Sequence, residues 1–243
     1  MLLLDIGNSR IKWACVEGGL WLRQGAAGSA EWAVLRQAFA SLSPPHRILV
    51  SNVAGKTAEE QLRTVCAAWT CPLEFITAQA VQCGVRNGYA QPAQLGSDRW
   101  AALIAAWQQE HAACLVVNCG TATTVDALSC DGEFLGGLIL PGVDLMRRSL
   151  AAGTAQLGMD AGQWREFPRN TADAISTGVI QATVGAIMRQ YELLKVPGAR
   201  CWLSGGAADE IQPYLGMPLR RADNLVLQGL QSIGQENLAK QEA

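Results

Sequence analysis

The sequence holds only two histidines, His46 and His111, far apart in the chain, and its eight cysteines form no CxxC pair. Neither pattern gives the ligand spacing of a zinc site. Several cysteines lie inside apolar runs, as in Ala112-Ala113-Cys114-Leu115-Val116. A thiol there is a small core side chain and is expected to stay reduced, as in a cytoplasmic protein. No apolar run approaches the roughly 20 residues that a membrane span needs. The opening Met1-Leu2-Leu3-Leu4 is interrupted by Asp5 and is too short for a signal peptide. An excess of basic charge is missing too: the net charge is -2, and Arg220-Arg221 is the nearest thing to a cluster. That argues against a nucleic-acid partner, and two adjacent arginines are ordinarily just solvated. Finally, neither GxxxxGK[ST] nor GxGxxG occurs, so neither a P-loop NTPase nor a dinucleotide fingerprint is indicated.

What is present is an ordinary globular composition, 49% hydrophobic and 16% charged over 243 residues. That allows one large domain or two small ones that share a cleft. Leu2 to Leu4 reads as a buried strand, followed by a Gly7-Asn8 turn and a returning strand from Arg10 to Val16 that Gly18-Gly19 closes. Ser29 to Leu42 reads as a helix capped by Ser29, and Thr57-x-x-Glu60 as a capping box opening the next helix. Strands are expected at 47–53 and 73–76, then a long polar loop at 77–97 and an Ala-rich helix from Asp98 to about Glu110. The pattern then restarts, with strands at 114–117, 123–128, 135–140 and 201–203. Helices are expected after Pro141, from Thr171 to about Leu194 and from Val226 on.

A shift of about 113 positions lays Leu2-Leu3-Leu4-Asp5-Ile6-Gly7-Asn8 on Leu115-Val116-Val117-Asn118-Cys119-Gly120-Thr121, and Gly19 on Gly132. Two copies of strand, polar-x-Gly-polar turn and returning strand favour a duplicated α/β domain over chance recurrence. The expected division is 1–110 and 111–243.

A small-residue turn after a buried strand presents backbone N–H groups that can bind anionic oxygens. Asp5 is the acid of the first turn. It could hold a hydrated Mg²⁺, which needs only one or two protein carboxylates, or serve only as a turn former. Lys12 could add positive charge. The second turn, Gly120-Thr121-Ala122-Thr123-Thr124, is small and rich in hydroxyls. Ser204-Gly205-Gly206 is a third glycine turn, either an approach for a flat ring or a plain connection. Asp98 begins a helix. Composition favours an N-cap there, and the alternative is a general base for a substrate hydroxyl.

Set together, these stretches resemble the motifs of type III pantothenate kinases. Asp5-Ile6-Gly7-Asn8-Ser9-Arg10-Ile11-Lys12 resembles the first phosphate motif, DxGNSxxK. The stretch from Gly88-Tyr89 to Gly96-Ser97-Asp98-Arg99 resembles the pantothenate segment ending in GxDR. Cys119 to Asp126 resembles the second phosphate motif, Leu203 to Gly206 the adenosine turn, and Asn170 to Gly178 the NTxxAIxxG segment. The resemblance runs in family order from residue 5 to about 206.

It implies two ribonuclease-H-like (actin-like) α/β domains with a nucleotide cleft between them, and transfer of the ATP γ-phosphate, with Mg²⁺, to the primary hydroxyl of pantothenate. It implies that Asp98 is the general base and that Tyr89, Gly96, Ser97, Arg99 and Thr171 line the pantothenate site. Residues 5 to 12, Gly120 and Thr121 are implied to hold ATP. A homodimer is implied, with Thr171 reaching the partner's site. One position departs from the pattern. Many members carry Asp where this chain has Asn118, and that carboxylate binds K⁺ or NH₄⁺, so dependence on a monovalent cation is in doubt here. The rival readings are an actin-like kinase for another small hydroxylated acid and an ATP-binding regulatory protein without turnover. Joint retention of Tyr89, Asp98 and Arg99 speaks against the latter.

Overall fold

The computed structural model describes residues 1–153 and 161–242. In chain order the first elements are β1 (Leu2–Ile6), β2 (Arg10–Glu17), β3 (Leu20–Gly28), α1 (Trp32–Ala40), β4 (Ile48–Asn52), α2 (Lys56–Val65), β5 (Leu73–Phe75), β6 (Val81–Gln82), β7 (Val85–Asn87) and α3 (Ser97–Glu110). Then come β8 (Cys114–Cys119), β9 (Ala122–Leu128), β10 (Glu133–Pro141), α4 (Val143–Gly153), α5 (Thr171–Leu194), β11 (Arg200–Ser204), α6 (Ala208–Ile211), β12 (Leu219–Arg221) and α7 (Leu225–Glu242). The chain divides into two compact units, residues 1–111 with the chain from Asn224 onward, and residues 112–223.

The first unit is built on a sheet of order β3-β2-β1-β4-β5. β1 and β4 pair in parallel, and Leu2, Leu3, Leu4, Leu49 and Val50 are wholly buried, as expected of strands covered on both faces. β2 and β3 return antiparallel. In the second unit the order β12-β11-β8-β9-β10 repeats this plan. β8 pairs in parallel with β11 and antiparallel with β9, and β9 pairs antiparallel with β10. Strand order and strand sense therefore match element by element, which is what duplication requires. The turns differ by a residue: Gly7 N–H bonds Arg10 O, whereas Gly120 N–H bonds Ala122 O.

The structure departs from the expected elements at several points. β3 was not anticipated: Leu20 and Leu22 are exposed, and Gly25 sits under the Trp13 indole, where a Cβ would meet the ring at 2.9 Å. The 77–97 loop contains the β6–β7 hairpin and a 3-10 turn at Pro92–Gln94. α1 begins at Trp32 rather than Ser29, and α2 is capped by Gly55 at φ 89° rather than by Thr57. Arg220 and Arg221 are not simply solvated. The Arg220 guanidinium lies 4.5 Å from the Trp202 ring centroid, and Arg221 pairs with Asp209 at 3.1 Å.

The expected division kept residues 111–243 together, but α7 lies in the first unit. Its Gly229 packs so closely on α3 that a Cβ would overlap the backbone of Ala101. Leu227, Leu230 and Ile233 bury the rest of that helix face. Burying three such side chains contributes about 1.5–3 kcal/mol each.

Candidate active site

In the first unit, the end of β1 and the start of α3 bring the predicted residues together. Asp5 is the penultimate residue of β1 and pairs in register with Lys12 on β2 and with Ser51 on β4. Gly7, Asn8 and Ser9 form the turn, and Ile6 and Ile11 are buried beneath it. Burial, then the neighbouring Asp98 carboxylate, push the Asp5 carboxyl up to about 7, and Lys12 opposes that rise. Asp98 itself is raised from the usual carboxylate range, chiefly by burial. The Arg99 amide and charge pull it back.

Asp98 is not the helix cap. Gly96 is the N-cap of α3, and the Asp98 Oδ1 accepts from the Arg99 N–H at 2.8 Å within the first turn. The first-turn position still sets the carboxylate at the positive end of the helix. Ser97 Oγ and Ser51 Oγ form a buried hydrogen bond of 2.9 Å, which ties the start of α3 to the end of β4. Ser51 was missed in the sequence; its one signal was a hydroxyl inside the buried run Ile48-Leu49-Val50-Ser51. Arg99 is buried, donates from Nη1 to the Tyr89 hydroxyl at 3.2 Å, and lies 5.9 Å from that ring's centroid.

In the second unit, Gly120 and Thr121 occupy the β8–β9 turn, and Gly142 N–H bonds Thr121 O at 3.0 Å. Asn118 stands in the second sheet where Asp5 stands in the first. It pairs with Ser204 on β11, whose hydroxyl donates to Asn118 Oδ1 at 3.4 Å. The same hydroxyl also faces Val117 O at 3.3 Å, and a neutral amide oxygen is a weaker cation ligand than a carboxylate. Gly205 adopts φ 97°, and a Cβ there would overlap the backbone of Cys119. Gly205→Ala is therefore expected to cost about 2–4 kcal/mol, strained backbone plus overpacking. Urea unfolding checks this, and an unchanged midpoint would contradict it. Thr171 is apart from these turns. It begins α5 after the Asn170 cap and lines a cavity of about 890 Å³ with Met146, Leu150, Ile175 and Gly178.

Among the described residues no group of three or more His, Cys, Asp or Glu side chains could hold a metal. Asp5 could nonetheless serve a largely hydrated divalent cation, which needs only one or two protein carboxylates, and such a cation would relieve the repulsion from Asp98. Burial pushes the thiols of Cys66, Cys83, Cys114, Cys119 and Cys201 up to about 12, so thiolate chemistry at neutral pH is closed to them.

A model of the type III pantothenate kinases matches residues 1–193. The chain belongs to that family. A type III pantothenate kinase of Aromatoleum aromaticum is 49% identical over 98% of this chain and 99% of its own length. Another, from Nitrosospira multiformis, is 47% identical over 97% and 91%. Among solved structures, a Campylobacter jejuni protein titled a Baf family transcriptional activator covers 98% of this chain and 100% of its own, at TM-score 0.65 and 23% identity. A Sinorhizobium meliloti protein titled as a 2-dehydro-3-deoxygalactonokinase covers 97% and 96%, at TM-score 0.61 and 16% identity. At these identities the likeness concerns the fold alone, an α/β fold of two mixed sheets. Among the described residues no helix is long and apolar enough to cross a membrane.

Proposed function

We propose that the protein transfers the γ-phosphate of ATP to the primary hydroxyl of pantothenate, giving 4'-phosphopantothenate at the first step of coenzyme A biosynthesis. The observation that carries this reading is Asp98 at the start of α3, with a raised pKa, beside the Arg99–Tyr89 pair and the Asp5–Lys12 turn. Asp98 orients and deprotonates the acceptor hydroxyl. Arg99 and Tyr89 hold the polar end of pantothenate. The turn after β1 with Lys12, and the turn after β8 with the Thr121 hydroxyl, are each read as a binder of phosphate oxygens. Asp5 would hold hydrated Mg²⁺, which neutralises phosphate charge when bound. The protein positions the reactants and stabilises charge, as phosphoryl transfer demands.

Asn118 offers a neutral amide oxygen in place of a carboxylate, so any K⁺ or NH₄⁺ is weakly held. Thr171 and its cavity on α4 and α5 are read as the part of the pantothenate site completed across a homodimer. Light scattering that gave a monomer under assay conditions would overturn the dimer. The deciding experiment measures ADP release from Mg-ATP with and without pantothenate, across a potassium titration. Pantothenate-dependent ADP and a product one phosphate heavier are expected, with less than about a twofold rise from potassium. ATP binding without ADP at any potassium concentration would sink the kinase reading. A rise from zero activity would restore the monovalent site.

A further inference from the structure

The substrate loop is hung from a turn that its own sequence does not favour. β6 and β7 are joined by Cys83-Gly84, and both residues have positive φ, 49° and 77°. That is the backbone of a two-residue type I′ hairpin, whose first position strongly prefers Asn, Asp or Gly. Cysteine has a Cβ and no side-chain oxygen to bond the turn, and the left-handed region costs such a residue roughly 1–2 kcal/mol. Two side chains from distant helices hold the turn instead. Glu236 Oε1 on α7 accepts from Cys83 N–H at 3.0 Å, and Gln108 Nε2 on α3 donates to Cys83 O at 2.7 Å. A third bond fixes the adjoining strand: the buried Trp100 Nε1 donates to Gln82 Oε1 at 2.8 Å. Trp100 follows Asp98-Arg99 directly, so the helix that carries the candidate base also grips the hairpin.

The far end of the hairpin leads into the substrate segment. Asn87 N–H bonds Ala80 O at 2.9 Å, Asn87 Oδ1 accepts from Tyr89 N–H at 3.0 Å, and Asn87 Nδ2 donates to Pro92 O at 3.2 Å. Tyr89 in turn meets Arg99. Every one of these residues lies in the first unit.

We infer that Glu236 and Gln108 are positioning residues for the acceptor site: they clamp the Cys83-Gly84 turn and so set Tyr89 against Arg99. Glu236 is itself steadied by Lys240 at 3.0 Å. The clamp rests on the pantothenate reading only for the identity of the acceptor, because the geometry it controls is a property of the chain alone.

The test uses the full-length protein, with hydrogen exchange read peptide by peptide and both Michaelis constants measured in parallel. Glu236→Ala and Gln108→Ala are each expected to speed exchange over residues 81–92, and to raise KM for pantothenate about 10-fold. kcat and KM for ATP should stay within about twofold. Glu236→Gln keeps Oε1 and is expected to behave as wild type. Gln108 is exposed, so its substitution answers the question even if Glu236→Ala folds poorly. Unchanged exchange in that segment would overturn the clamp, and so would a general rise in exchange with both KM values moving together. If wild type showed no pantothenate-dependent ADP release, the substrate reading would fail while the exchange data still decided the clamp.

Discussion

Asp98→Asn is expected to lower kcat about 10²–10⁴-fold, the usual cost of removing a general base. The substitution is nearly isosteric. The Asn oxygen can still accept from the Arg99 N–H, so the first turn of α3 should persist with Arg99 in place. ATP affinity should change little, because the candidate phosphate contacts come from the turns after β1 and β8. Wild-type kcat should also fall as pH drops through the raised pKa of Asp98, and the residual rate of the variant should lack that limb. Steady-state ADP release over a range of pH, with calorimetric ATP binding, reads both effects. A variant with near-wild-type kcat would remove Asp98 from the role.

Asp5→Asn is expected to change how stability depends on pH. Asp5 is held up to about 7 against an ordinary value of 3.8, first by burial and then by Asp98. Between those values the folded chain keeps a proton that the unfolded chain has released. The contribution is thus complete below about pH 4 and lost as pH rises to about 7. The loss amounts to a few kcal/mol at most, at about 1.4 kcal/mol per pH unit. Without divalent cations, the Tm of wild type should fall relative to the variant by about 5–10 °C between mildly acidic and mildly alkaline buffer. Magnesium should recover part of that loss in wild type and little in the variant, because a bound cation relieves the same repulsion as the proton. Parallel Tm curves for the two proteins would refute both points.

The buried strands were legible because parallel strands covered on both faces are unbroken apolar runs. Leu2-Leu3-Leu4 and Cys114-Leu115-Val116-Val117 look the same and occupy the same place in their sheets. α5 was legible at both ends, since Asn170 supplies a side-chain cap, bonding Asp173 N–H at 2.9 Å. β3 was not legible. Its outer face meets solvent, and its Gly25 exists to admit a tryptophan from another strand. The β6–β7 hairpin escaped notice for a related reason. Its turn is stabilised from α3 and α7, so no local signal such as Asn-Gly was needed. Within the site, composition ranked Asp98 as a cap, because a carboxylate at a helix start can serve as a cap or as a first-turn base. Only the resemblance of the ordered motifs favoured the base, and in the structure the cap is Gly96. The hydroxyl pair of Ser51 and Ser97 joins two elements remote in sequence, and nothing in either segment announces it.

The placement of α7 bears on how the chain is made. Translation runs from the amino end, so β1 to α3 leave the ribosome well before the helix that packs on α3. The second unit, residues 112–223, lies wholly between them and is a continuous stretch. It can therefore finish folding while the first unit still waits for its last helix with the apolar side of α3 uncovered. The unit that holds Asp5 and Asp98 is begun first and completed last. A premature stop at Asn224 thus strikes the half that was begun first, and leaves intact the half made just before the break.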